Sequence, residues 1–186
     1  MFLKYKLFKI SGENYIRVDV FINILTNFFD VGKTGEVALF LEENIESIQP
    51  SHRKNMLAVA NALIQFEKGN FSESLKNVTL IKTNTFLYKN YVKVLSLKNN
   101  YELKNYDIAM ELSVNYRNFL NENKHVTEVG RIHGQKFLNY YNTLWKALEG
   151  KSGKLNLKAL KEEIEMNQGF TESAWILEKV NEIKLK

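Results

Sequence analysis

Gly32-Lys33-Thr34, inside the stretch DVGKTGEVALF, has the form of the tail of a phosphate-binding loop. Such a loop holds phosphates on backbone amides at the start of a helix. It needs a glycine five residues before the Gly-Lys pair and a buried strand leading into it. Asn27 occupies the glycine position, and the residues leading in carry the apolar spacing of a helix. The second Gly-Lys pair, in EGKSGK at 149–154, has Trp145 five residues before Gly150. Nucleotide binding is therefore not expected, and both stretches read as turns between helices.

The remaining titratable groups form no recognisable catalytic set. His125 and His133 are eight residues apart, which misses the i,i+4 spacing of a helical metal site. His125 with Glu128 is a single i,i+3 pair and reads as a solvated helix start, and His52 stands alone. Glu42, Glu43 and Glu46, like Glu162, Glu163 and Glu165, sit among lysines or polar residues, as solvated helix faces do. Neither a serine nucleophile elbow nor a Gly-rich dinucleotide loop is present. The absence of cysteine removes thiolate nucleophiles, disulfides and Cys-held metals. No catalytic residue, metal or cofactor is expected, and the chain reads as a non-enzyme.

The elements that carry these groups are helical. Pro50 is the one proline in 186 residues, so long segments lack a helix breaker. Apolar residues recur at helical spacing nearly throughout. The pattern predicts helices over about 13–29, 35–48, 51–68, 71–82, 85–101, 105–123, 127–149, 154–166 and 171–184, after an ambiguous segment at 2–10. Gly69 is placed as the residue that ends the 51–68 helix. Asn70 with Glu73 fits a capping box for the next, and Asn105 fits a cap for the helix at 105–123. Phe137, Tyr140, Tyr141, Leu144 and Trp145 fall at helical spacing and read as core. The apolar stripe Trp175, Ile176, Val180 and Ile183 reads either as a terminal cap or as a face for another subunit or domain. The fold class expected is all-α, with about eight to ten helices.

Composition adds limits. A hydrophobic share of 45% and a charged share of 25% are ordinary globular values. Lys4, Lys6 and Lys9 interrupt the apolar residues of MFLKYKLFKI, which does not read as a signal peptide, and no stretch is apolar for the roughly 20 residues a membrane helix needs. A cytoplasmic protein, or a piece of a longer one, is the expectation. The net charge of +5 and pI near 9.2 would suit nucleic acid. The excess is lysine, however, with Arg17, Arg53, Arg117 and Arg131 as the only arginines, and nucleic-acid readers usually draw on arginine.

An internal repeat organises the chain. GNFSESLKNV at 69–78 aligns with KNYDIAMELS at 104–113, an offset of 35 residues that matches Phe71 with Tyr106 and Ser74 with Ala109. A further step of 36 reaches Ala38. The G-N-F-x-x-S-L and N-Y-D-x-A turns, each after an apolar helix, resemble those of the tetratricopeptide-repeat family, and the chain is similar in this to bacterial helical-repeat proteins. The consensus tryptophan and glycine of the first helix are absent. The resemblance covers roughly 14–123, with 124–186 as divergent or capping helices. It implies a single α-solenoid domain over 1–186, a right-handed superhelix of antiparallel helix hairpins.

In such solenoids the first helix of each pair lines a concave partner-binding surface. The first helices here are 51–68, 85–101 and 127–149. The polar stripe of 51–68 is Lys54, Asn61 and Gln65, and that of 85–101 is Lys89, Asn90 and Lys93. From Ser74 to Tyr101 the chain has Lys76, Lys82, Lys89, Lys93 and Lys98 and no acidic residue. Lysines attract negative charge and asparagine amides bond a peptide backbone. The expected function is a non-catalytic scaffold that binds a protein or an acidic peptide. The alternative is a nucleic-acid-binding solenoid that places the lysines of 76–98 on phosphates.

Overall fold

Helix Pro50–Glu67 (α3) shows how the sequence builds the fold. Pro50 opens it at the position where a missing N–H costs nothing, and Asn55, Met56, Ala58, Val59, Ala60, Ala62, Leu63 and Phe66 are buried around most of its circumference. Gly69 closes it in a left-handed conformation, φ 75°. Its N–H reaches the Phe66 carbonyl, and the Asn70 N–H reaches that of Gln65, which is the paired bonding of a Schellman motif. The chain then reverses into Phe71–Thr79 (α4). Phe66 meets Phe71, the Ala62 carbonyl meets Ser74 Oγ, and Asn55 meets Lys82, an antiparallel register along the whole hairpin.

The computed structural model describes residues 15–30, 33, 35–82, 86–150, 154–166 and 172–183. The expectations for segment 2–10, Glu13, Gly32, Thr34, Thr85, residues 151–153, Thr171 and residue 184 fall outside them. Two compact units, Met1–Lys104 and Asn105–Lys186, divide the chain. Among the described residues there are nine α-helices and no β-strand. None of those helices is long and apolar enough to cross a membrane.

The first unit adds Val18–Asp30 (α1), Glu36–Asn44 (α2) and Phe86–Glu102 (α5) to the α3–α4 hairpin. Phe21, Leu25 and Phe28 of α1 meet Phe40 of α2 and the apolar face of α3 in one core. The first helix starts at Val18, later than the sequence pattern suggests. Ile16 is extended and its N–H donates to the Ser47 carbonyl at 2.7 Å, so the apolar residue at 16 is buried by bridging to Ile48 and not by a helical turn. At its end α2 tightens into a 3-10 turn, Ile45–Ser47. Arg53 holds that turn, donating to the carbonyls of Glu46 (2.8 Å) and Ile48 (2.9 Å) and pairing with the Glu46 carboxylate. Tyr88 of α5 bonds His52 of α3 at 3.2 Å, and Lys98 sits over Phe66 at 4.8 Å, so α3 and α5 run in the same direction. Between α4 and α5, Asn99 donates to Ser74 Oγ at 3.0 Å.

The turn chemistry differs from the expected capping box. Asn70 makes no side-chain cap bond; its amide donates to Gln65 Oε1 at 2.9 Å, and Glu73 pairs with Lys76. Asn105 likewise makes no side-chain cap bond. The repeat-defining small residues Ser74 and Ala109 are fully buried, whereas Ala38 is exposed and its neighbour Val37 fills the core.

At the position equivalent to Gly69, Lys104 takes the same left-handed conformation, φ 58°, and its N–H bonds the Tyr101 carbonyl. A side chain in that region costs on the order of 1 kcal/mol. The contact of its ammonium with the Tyr101 ring, 4.6 Å from the centroid, offsets part of that. Lys104→Gly is expected to stabilise the protein by about 0.5–1 kcal/mol. A urea midpoint that stays unchanged or falls would contradict this reading of the turn.

The second unit contains Tyr106–Glu122 (α6), Glu128–Leu148 (α7), Lys154–Met166 (α8) and Ser173–Glu182 (α9). Thr127 caps α7 by accepting from the Gly130 N–H at 3.1 Å, a role its residue type allows just before an apolar-periodic run. Helices α6 and α7 form an antiparallel hairpin, with Tyr106 on Trp145, Tyr116 on Phe137 and Gln135 on Asn121. Trp175 of α9 packs on Phe137 and Tyr141, and Trp175, Ile176 and Val180 are buried. The apolar stripe of the last helix therefore covers α7.

Candidate functional site

The buried positions of α3 leave one narrow stripe facing outward, Lys54, Leu57 and Asn61, with Gln65 half-buried at its end. Leu57 is 43% exposed, so the stripe offers an apolar contact between two polar groups. At the end of the stripe the Gln65 side-chain oxygen accepts from the Asn70 amide at 2.9 Å. The His52–Tyr88 contact sets α5 beside α3 and brings Asn90 to the level of Lys54.

On α5, Lys89 is exposed while Asn90 and Lys93 are half-buried. Burial, and then the neighbouring Lys89 ammonium one turn away, lower the pKa of Lys93 from the ordinary lysine value. A half-buried cation thus has an exposed one a turn away, and a negative group beside them would counter both effects on Lys93. The other lysines of the acid-free run are dispersed. Lys76 pairs with Glu73 on α4 at 2.7 Å and Lys98 lies over Phe66.

Below these residues lies a buried polar frame. Asn55 bonds both backbone groups of Lys82, at 2.8 and 2.9 Å. Burial pushes the Tyr88 hydroxyl up to about 12, with a hydrogen bond to Asn55 acting in the opposite direction. Tyr88 therefore stays protonated and keeps its contact with His52, which fixes the level of α5 against α3.

Of the Gly-Lys pair the structure describes Lys33. Lys33 pairs with Glu36 at 3.3 Å, and its N–H bonds the carbonyl of Phe28 in α1.

A second concave region lies in the other unit, between α7 and α8. It has a volume of about 630 Å³ and is lined by Lys136, Asn139, Thr143 and Lys146 from α7 with Leu160 and Glu163 from α8. Tyr140 reaches across it and donates to Glu163 Oε1 at 2.5 Å. Burial first, and then the Glu163 bond and charge, hold the Tyr140 hydroxyl well above the ordinary phenol range. Lys136 lies over the Tyr140 ring at 5.8 Å. By spacing Tyr140 reads as core and Glu163 as part of a solvated face; Tyr140 is buried, and its hydroxyl bonds Glu163. The spacing 136, 139, 143, 146 is itself a polar helical stripe, and that signal was legible beside the aromatic one.

Comparison with protein-family models, with curated proteins and with solved structures finds no match. The chemistry of the two surfaces is the basis for a functional reading.

Proposed function

We propose that the chain is a non-catalytic, tetratricopeptide-like helical-repeat scaffold that binds a protein through an acidic, extended segment laid along α3 and α5. The observation that carries the reading is the pairing of α3 and α5. They run in the same direction with α4 as the return helix, at the 35-residue step of the sequence repeat, and expose Lys54, Asn61 and Lys89 beside the depressed Lys93. A right-handed superhelix continuing through the later helices follows from the same repeat. Lysines supply the attraction, asparagine amides supply backbone bonds, and Leu57 supplies apolar contact.

The test is direct binding of acidic peptides to the full chain and to a Lys89→Glu/Lys93→Glu variant. The double reversal should weaken binding by at least about tenfold, from the loss of two attractions and the gain of two repulsions. Helical circular dichroism should be unchanged. Equal affinity for both proteins would reject this surface. The ligand favours the protonated form of Lys93, so binding takes up protons and weakens as pH rises through the lowered Lys93 pKa. Binding of single-stranded RNA in place of peptide, with about one log unit of affinity lost per phosphate contact per tenfold salt, would favour the nucleic-acid reading.

A further inference from the structure

The groove between α7 and α8 is a separate surface with its own geometry. Lys136 and Lys146 line it from one helix, ten residues and so about 15 Å apart along the axis, with Ile132 and Gln135 continuing the wall beyond Lys136. Between them lie Asn139, Thr143 and the Tyr140–Glu163 bond. Glu163 is the single acidic residue of the lining, and one of its oxygens already accepts from Tyr140. Two lysines therefore flank a carboxylate that is bonded to a phenol.

We infer that this groove binds an extended peptide with acidic residues four apart and a neutral residue midway between them. An extended chain advances about 3.3 Å per residue and turns alternate side chains to the same face. Acids at i and i+4 then share a face about 13 Å apart, close to the separation of Lys136 and Lys146. The residue at i+2 falls at the level of Tyr140 and Glu163, where a second carboxylate would be repelled by the Glu163 charge. Asn139 is exposed and has both a donor and an acceptor to offer the peptide backbone. Leu160 and Ile132 supply apolar contact at the wall. Acids at i and i+3 point to opposite faces and cannot meet both lysines.

This site lies in the second unit and does not depend on the α3–α5 surface. Two dye-labelled heptapeptides of identical composition test it, Gly-Asp-Ala-Ser-Ala-Asp-Gly and Gly-Asp-Ala-Ser-Asp-Ala-Gly, titrated into the full chain. Their charges are equal, so general attraction to a basic protein cannot separate them. The first should bind about five- to tenfold more tightly. Lys146→Glu should abolish that preference, while Lys89→Glu/Lys93→Glu should leave it intact. Glu163→Gln should relax the rejection of an acid at the midpoint. Equal affinities, no binding of either peptide, or a preference that survives Lys146→Glu would overturn the inference. Loss of the preference in Lys89→Glu/Lys93→Glu, with Lys146→Glu unaffected, would assign it to the α3–α5 surface instead.

Discussion

Asn55→Leu is expected to destabilise the protein by about 2–4 kcal/mol, although the two side chains are similar in size. Asn55 is buried in α3 and satisfies both backbone groups of Lys82: its Nδ2 donates to the carbonyl at 2.8 Å and its Oδ1 accepts from the N–H at 2.9 Å. Lys82 lies beyond the end of α4, where no helical turn supplies those partners. Leucine fills the space and leaves both groups unpaired in a partly buried place, at about 1–3 kcal/mol each. A shift of the urea midpoint with an unchanged m-value would measure the loss. A change below about 0.5 kcal/mol would mean that water reaches Lys82 and that the bridge is dispensable. Asn55→Asp adds a sign test. Its carboxyl must be protonated to donate to the Lys82 carbonyl, so its folded pKa is raised above the unfolded value. That variant should be relatively stable below the unfolded aspartate pKa and lose stability as pH rises through the folded one.

Helix positions follow from apolar spacing, and the ends of α3 follow from Pro50 and Gly69, because both signals act within one or two turns. The failures are tertiary. Asn70 and Asn105 have the residue type of a cap, but Asn70 bonds Gln65 across the turn. Ile16 satisfies the helical period yet is used in a bridge to Ile48, a partner 32 residues away that no local pattern names. The candidate surfaces divide in the same way. Exposure of Lys54, Asn61 and Lys89 follows from the helical stripe. The burial of Lys93, which is the larger cause of its lowered pKa, and the bond between Tyr140 and Glu163 depend on neighbouring elements.

Gly134→Val is expected to cost about 3 kcal/mol or more, placing it among the most damaging single changes in the second unit. A glycine in the interior of the 21-residue α7 costs about 1 kcal/mol relative to alanine, so its presence there needs a cause. The cause is the closeness of α6. A Cβ at 134 would lie 2.7 and 2.8 Å from the two Leu120 methyls and 2.9 Å from the Tyr116 hydroxyl. Leu120 and Tyr116 are themselves buried, so neither can swing into solvent. Valine adds branched bulk to that contact. Alanine adds one methyl, whose overpacking of about 1–3 kcal/mol is reduced by its better helix propensity, for a net loss of about 1–2 kcal/mol. Leu120→Ala alone should cost about 2–5 kcal/mol by opening a cavity against α7. Combined with Gly134→Ala, the new methyl enters that cavity, and the double variant should be about 1–2 kcal/mol more stable than the sum of the single losses. Tyr116 still faces the methyl, so the rescue stays partial. If Gly134→Ala instead raised stability by the propensity difference, α6 and α7 would have to separate at small cost.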